Sequence, residues 1–254
     1  YAGEAKARIA EIAFEGPALT LEAAELTDAE LHIRELKSGE LNIRPIIQRR
    51  TKRDGKGDFR LYITDLKANN LVFTYERLQH RNPEYGVDYN DMEVRNICGM
   101  VYNLSVVRGV IACDLKNISG VEKSGFVLDD FNAKLLVDKG YIKFEELSAA
   151  TQKSTIDMPY LVLDGGNWER YKYYIDSVKM VGIVDYASLH SSDLAYFAPK
   201  LRSWDVQVRD INGSFEGYVR DFEAELNSVS LGDNSYINGV AHIVGLPDWR
   251  TATY

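Results

Sequence analysis

This sequence predicts an all-β fold, a long repeating sheet with at most one short helix near 191–198. Three observations carry that reading. Apolar and polar residues alternate at period two through most of the chain, the alternating blocks are cut by Gly, Asn and Asp turns, and helical spacing is scarce. A small motif, apolar-x-apolar-x-x-apolar, also recurs with drift, which suggests a quasi-one-dimensional sheet that grows strand by strand.

Taken in order, Leu19, Leu21, Leu31, Ile33, Leu41 and Ile43 hold odd positions with Thr, Glu, His and Asn between them. Such alternation gives a sheet with one apolar and one wet face. Next, Phe59, Leu61 and Ile63 point to one side, the chain is expected to turn through Asn69-Asn70, and Leu71, Phe73 and Tyr75 resume the pattern. From Val110 to Leu163 the pairs Val110/Ala112, Phe126/Leu128, Leu135/Val137, Ile142/Phe144, Ile156/Met158 and Leu161/Leu163 mark strands, with breaks at Ser119-Gly120, Lys123-Ser124-Gly125, Asp138-Lys139-Gly140 and Gly165-Gly166. Tyr173 to Val184 reads as further strand. In the single helical segment Ser191 or Ser192 is a suitable N-cap, and Pro199 restricts the residue before it. Strand resumes at Trp204 and runs through Val206, Val208, Ile211, Phe215, Phe222, Leu226, Val229, Leu231, Ile237 and Ile243. The expected organisation is one continuous β segment over 1–254 of a larger protein, with a sub-boundary near 165–172.

Composition narrows the function. With 254 residues, 45% hydrophobic and 27% charged, the chain is a folded, core-bearing piece. A net charge of −8 and a pI near 5.1 leave no basic footprint for phosphate backbones, so no nucleic-acid partner is expected. The Arg49-Arg50-Thr51-Lys52-Arg53 cluster runs into Asp54-Gly55-Lys56-Gly57-Asp58 and reads as a solvated turn. No apolar run approaches the ~18 residues that span a bilayer. The chain starts at Tyr1 inside strand-like sequence, so an excised or processed fragment is expected, with any anchor outside it. Cys98 and Cys113 sit in apolar stretches without CxxC spacing; buried free thiols and a cross-strand disulfide both fit.

Catalytic and metal constellations are weak. Asp129-Asp130 and Glu145-Glu146 are adjacent on strands, where neighbours point to opposite faces and cannot converge on one substrate. His32, His80, His190 and His242 are scattered singly, so no metal and no cofactor are expected. Gly213-Ser214-Phe215-Glu216-Gly217 has its serine in the wrong place for a nucleophile elbow. The expectation is a protein that is not an enzyme.

Three stretches together carry a family resemblance: Ser192-Asp193-Leu194-Ala195-Tyr196-Phe197-Ala198-Pro199-Lys200-Leu201, Ile211-Asn212-Gly213-Ser214-Phe215-Glu216-Gly217, and Asn234 to Asp248 with its Gly245-Leu246-Pro247-Asp248 ending. They resemble the TamB/AsmA-like (translocation and assembly module) family of Bacteroidota-type Gram-negative bacteria, and Phe126 to Leu163 is similar to another part of the same repeat. The resemblance implies a β-taco, a sheet curled into an apolar-lined groove, standing in the periplasm within a parent anchored to the inner membrane. It further implies phospholipid acyl chains as ligand, a BamA/TamA-like outer-membrane barrel as partner of the full-length chain, and a role in phospholipid transport or outer-membrane protein assembly.

The physics of such a groove needs only a dry face, on which each buried CH₂ contributes about 0.8 kcal/mol. The candidate lining residues are Phe59, Leu61, Ile63, Leu71, Phe73, Phe126, Leu128, Leu135, Val137, Ile142, Phe144, Val206, Val208, Phe215 and Leu231, all on the apolar phase of their strands. Two other readings remain. An extracellular carbohydrate-binding or adhesin-like β-repeat would use some of the sixteen tyrosines, such as Tyr171, Tyr173 and Tyr174 beside Trp168. A β-helix polysaccharide-degrading enzyme would need convergent acids in a cleft.

Overall fold

The computed structural model describes residues 1–13, 18–42, 60–78, 83–230 and 235–246. The chain divides into two compact units, Tyr1–Asp129 and Asp130–Tyr254. In the first lie β1 (Ala2–Ala13), β2 (Ala18–Arg34), β3 (Arg60–Glu76), β4 (Asp91–Val107), β5 (Val110–Glu122) and the two-residue β6 (Val127–Leu128). Each pairs with its predecessor, antiparallel except for β2 and β3, which run parallel. The second unit holds β7 (Asp130–Asp138), β8 (Tyr141–Ala150), β9 (Thr155–Asp164), β10 (Lys179–His190), β11 (Gln207–Tyr218), β12 (Asp221–Ser230) and β13 (Tyr236–Val244), antiparallel throughout and again neighbours in chain order. The fold is all-β, and neither unit closes into a barrel. This pairing is not that of a β-helix, whose coils stack in parallel.

Two hairpins follow from their turn residues. Arg108-Gly109 and Lys139-Gly140 all have positive φ (52°, 82°, 42° and 90°), the two-residue turn whose twist matches the flanking strands. They join β4 to β5 and β7 to β8, where Val107 faces Val110 and Asp138 faces Tyr141.

The repeated x-x spacing has a physical cause. Inside the strands Asp28, Asn70, Asn96, Asn103, Asn117, Glu146 and Asp210 are left-handed, with φ between 51° and 54°. Each is the second x of an apolar-x-x-apolar step: Leu26 to Ala29, Ala68 to Leu71, Val94 to Ile97, Val101 to Leu104, Leu115 to Ile118, Phe144 to Leu147, Val208 to Ile211. An extra residue in a period-two strand would throw every later side chain onto the opposite face. A bulge absorbs that residue, bends the strand and restores the face. Asn and Asp tolerate the left-handed region better than other residues with a Cβ, which explains six of the seven. Asn70 also donates from Nδ2 to the neighbouring bulge residue's Asp28 Oδ1 at 2.5 Å.

Four expectations are corrected. Ser119-Gly120 is not a break: both residues lie within β5, where Ser119 pairs with Cys98 and Gly120 with Leu128. Asn69-Asn70 is not a turn between two strands but a bulge within the continuous β3. Tyr173–Ser177 is not strand: Trp168–Tyr173 forms a 3-10 turn that passes into one turn of α-helix, Tyr174–Ser177, and β10 begins only at Lys179. Asn167 caps that turn, its Oδ1 accepting from the Arg170 amide. Leu41 belongs to no long strand and makes an isolated bridge to Glu35. The helix expected at 191–198 occupies Ser191–Leu194, and a second 3-10 turn follows at Pro199–Ser203.

Burial is shallow, as a single sheet layer requires. The best-buried cluster is Ala133, Leu147, Met158, Val184 and Ala187, at the level of the irregular register in the second unit. Phe131 stands opposite Ala149, five positions from Phe144 and about 16 Å along a straight strand. Their rings nevertheless meet edge to face with centroids 6.0 Å apart. The strands therefore crease at this level, and large side chains on either side close over the small ones.

Candidate functional site: a half-open apolar sheet face

Register places apolar residues in rungs that cross the strands on one face. In the second unit one rung is Phe131–Ala149–Ile156–Ala187–Ile211. A second is Leu135–Phe144–Leu161–Gly182–Phe215–Ala224–Ala241, and a third Val137–Ile142–Leu163–Met180–Gly217–Phe222–Ile243. Between the first two lie the creased residues, Leu147 opposite Met158 and Val184 opposite Gly213. The other phase is wet, as in Lys134–Glu145–Tyr160 and Glu216–Glu223–His242.

The first unit repeats the arrangement. Its rungs include Leu19–Leu61–Val106–Ile111, Leu21–Ile63–Leu104, Ala24–Leu66–Val101–Leu115 and Leu31–Phe73–Val94. Leu71 faces Ile97, and the bulge at Asn70 keeps Leu71 and Phe73 on the face of Ala68 and Leu66.

The sequence-derived lining residues fall as follows. Leu61, Ile63, Leu71 and Phe73 lie in the rungs of the first unit, where Ile63 is buried and the others half-buried. Phe126 and Leu128 are half-buried, Phe126 lending its carbonyl to the Glu122 amide and Leu128 facing Gly120. Leu135, Val137, Ile142, Phe144 and Phe215 share the face of the second unit, all half-buried, and Val208 joins it opposite Leu189. Val206 precedes β11 and is 43% exposed. Phe59 and Leu231 lie outside the described residues.

Sequence reasoning missed the small residues that let the large ones meet. Gly182 has no side chain on the apolar face, and the Phe215 ring fills its place together with Met158 Cε. Ala133 and Ala187, each 1% exposed, do the same at the crease. Their only signal was position: all three fall on the apolar phase of their strands.

Several polar groups near the face are paired. Glu122 is buried, accepting from the Ser124 amide at 2.7 Å. Glu146 pairs with Lys134, which stands opposite Glu145 in the ladder, and Glu145 pairs with Lys143, so each carboxylate is matched by an ammonium. An open depression of ≈ 380 Å³ crosses β1 to β4 over Ala7, Ala23, Ala24 and Met100. The Lys67 ammonium on its rim holds the Glu25 carboxyl below the usual carboxylate range. Burial pushes the Cys113 thiol up to about 11, with Asp114 adding to it, and both cysteines are free. His32 bonds Thr74 and Glu30, His190 bonds Ser192, and His242 bonds Asp221. Among the described residues no group of three or more His, Cys, Asp and Glu could hold a metal, and no helix is long and apolar enough to cross a membrane.

No protein-family model matches the chain, and neither a curated protein nor a solved structure matches it. What fold and site define is a class: an open, bulged, mostly antiparallel sheet with one wet face and one half-covered apolar face.

Proposed function

We propose that the chain is a non-enzymatic segment of a cell-envelope protein that cradles phospholipid acyl chains on its apolar sheet face. It serves phospholipid movement between the inner and outer membranes, outer-membrane protein assembly, or both. Its setting is the periplasm, within a TamB-like parent anchored to the inner membrane and reaching a BamA/TamA-like barrel through its remaining length. The observation that carries this reading is the set of apolar rungs that cross whole units in register yet stay only half covered. Soluble proteins do not leave large contiguous apolar faces without a use. A bound chain gains about 0.8 kcal/mol per CH₂ laid on such a face, so a dozen contacts hold it with no polar chemistry at all.

The test is native mass spectrometry of the chain purified gently from Gram-negative cells, beside a Phe73→Asp, Val208→Asp double variant. These residues lie one in each unit on the apolar face, half-buried, so a carboxylate there meets any lipid. The expected result is retained phospholipid in the parent chain and its loss from a variant whose circular dichroism is unchanged. A lipid-free parent whose variant unfolds would mean that the rungs are a sealed core, and the lipid reading would fall.

A further inference from the structure

The connections of the second unit alternate between two ends of its strands. At one end lie the turns 139–140 and 219–220 and the β9–β10 connection; at the other lie 151–154 and the β10–β11 connection. Among the described residues, the two connections that flank β10 are the ones that carry helical turns, and both display aromatic rings to solvent. Trp168 is 51% and Tyr173 69% exposed at the first end, and Phe197 and Trp204 are each 48% exposed at the second.

Both turns are pinned by hydrogen bonds, and at the first end the Trp168 ring is also held by a neighbour. Tyr171 donates its hydroxyl to the Gly140 and Leu163 carbonyls at 3.1 and 3.0 Å, and Trp168 leans on it with ring centroids 5.4 Å apart. Tyr174, 6.3 Å from Tyr171, donates to Met180 Sδ at 3.2 Å, and Met180 belongs to the rung Val137–Ile142–Leu163. The aromatic turn is thus continuous with the apolar face. At the other end the buried Ser191 donates to the Trp204 carbonyl and accepts from the Val206 amide, while Asp193 Oδ2 accepts from Thr151 and Ser154.

We infer that the two helical turns beside β10 hold the headgroup and glycerol zone of bound phospholipid, with the acyl chains lying along the strands between them. The inference rests on the lipid-cradling reading and adds orientation to it. Trp and Tyr have an apolar body and a polar tip, and they collect where hydrocarbon meets water. The dimension agrees: laid straight, the twelve residues of β10 would extend to about 36 Å, and the irregular stretch from Val184 to Leu189 shortens that toward the hydrocarbon thickness of about 30 Å for two opposed acyl layers. A sugar platform fits less well, since Trp168 and Tyr171 are tilted by 41° and the Tyr171 hydroxyl already serves two carbonyls.

The test uses tryptophan emission in the full chain carrying Trp249→Phe, which leaves Trp168 and Trp204 of the three tryptophans. The protein is loaded with phosphatidylcholine brominated either near the glycerol end or near the methyl end of one acyl chain. Bromine near the glycerol end should quench at least about twofold more, as for interfacial rings. Trp168→Phe and Trp204→Phe added singly assign the effect to each end. Equal quenching from both lipids, or none while mass spectrometry finds lipid bound, overturns the orientation and leaves the lipid reading standing. No retained lipid in any form overturns both, and an emission shift with oligosaccharide but not with bromolipid would replace both by a sugar-binding platform.

Discussion

Gly182 is the position where a single methyl group tests the packing of the apolar face. It sits in β10 between Leu161 and Phe215. A Cβ there would collide with the Phe215 ring, Cε1 lying at 2.5 Å, and would come within 2.9 Å of Met158 Cε. Replacing a strand glycine by alanine otherwise gains about 0.5–1 kcal/mol, because the unfolded chain loses freedom. Overpacking costs about 1–3 kcal/mol, so Gly182→Ala should destabilise by about 1–2 kcal/mol net. Phe215→Ala, at a half-buried site, should cost about 2 kcal/mol, roughly half the value for a fully buried ring. In that background only the flexible end of Met158 remains in the way and can swing aside, so Gly182→Ala should become stabilising by about 0.5–1 kcal/mol. The coupling of about 2 kcal/mol far exceeds the usual non-additivity of independent sites. Urea melts followed by tryptophan emission report on the right unit, since Trp168, Trp204 and Trp249 all fall within 130–254. A shift of the same sign and size in both backgrounds would refute the argument that Phe215 occupies the space of the missing side chain.

Other predictions follow from the bulges, the cysteines and the anchored tyrosine. Asn96→Val, at φ 53°, should lower stability by about 1–2 kcal/mol, whereas Asn96→Gly should change it little; the urea midpoints of the two variants decide it. At pH 8 iodoacetamide should modify the half-buried Cys98 well before Cys113, whose thiol burial keeps protonated to about 11, and both should react in urea; peptide mapping reads the order. Burial holds the Tyr171 hydroxyl up to about 12, with Tyr174 and Asp164 adding to it. Its folded value thus exceeds the unfolded one, so its contribution is complete below about pH 10 and is lost as pH rises toward 12. Tyr171→Phe removes the hydroxyl shared by the two carbonyls, of which that of Gly140 keeps the Gly165 amide, and should cost about 1 kcal/mol at neutral pH and flatten that alkaline loss in thermal melts.

The strands themselves were legible because a half-covered sheet writes its pleat into the sequence. Leu135/Val137 and Ile142/Phe144 were readable as pairs, and their register puts all four on one face. The bulges were half legible. The x-x step was visible, but at Asn69-Asn70 two turn-forming residues side by side look the same whether the chain reverses or merely kinks, and the neighbouring strand decides the matter. Tyr173–Ser177 misled for a related reason: Tyr and Ile are strand formers, and local preference gave way to the Tyr171 and Tyr174 contacts that seat the turn. The site was legible as large apolar residues and not as the gaps they fill, because Gly182 and Ala187 carry no hydrophobic signal of their own.

The bulges also constrain how such a sheet can be edited. Every β2 residue in the ladder faces the β3 residue 42 positions later, from Ala18 opposite Arg60 to Arg34 opposite Glu76, and this offset is the same on both sides of Asp28 and Asn70. The inserted residue is therefore present in both strands at the same height. Deleting Asn70 alone would turn Leu71, Phe73 and Tyr75 toward water and break the ladder with both neighbours; deleting Asp28 and Asn70 together would still leave Asn96 in β4 unmatched. Length changes in this architecture must be made across the sheet in one stroke, so whole strands are the natural currency of insertion and loss, and single codons are not.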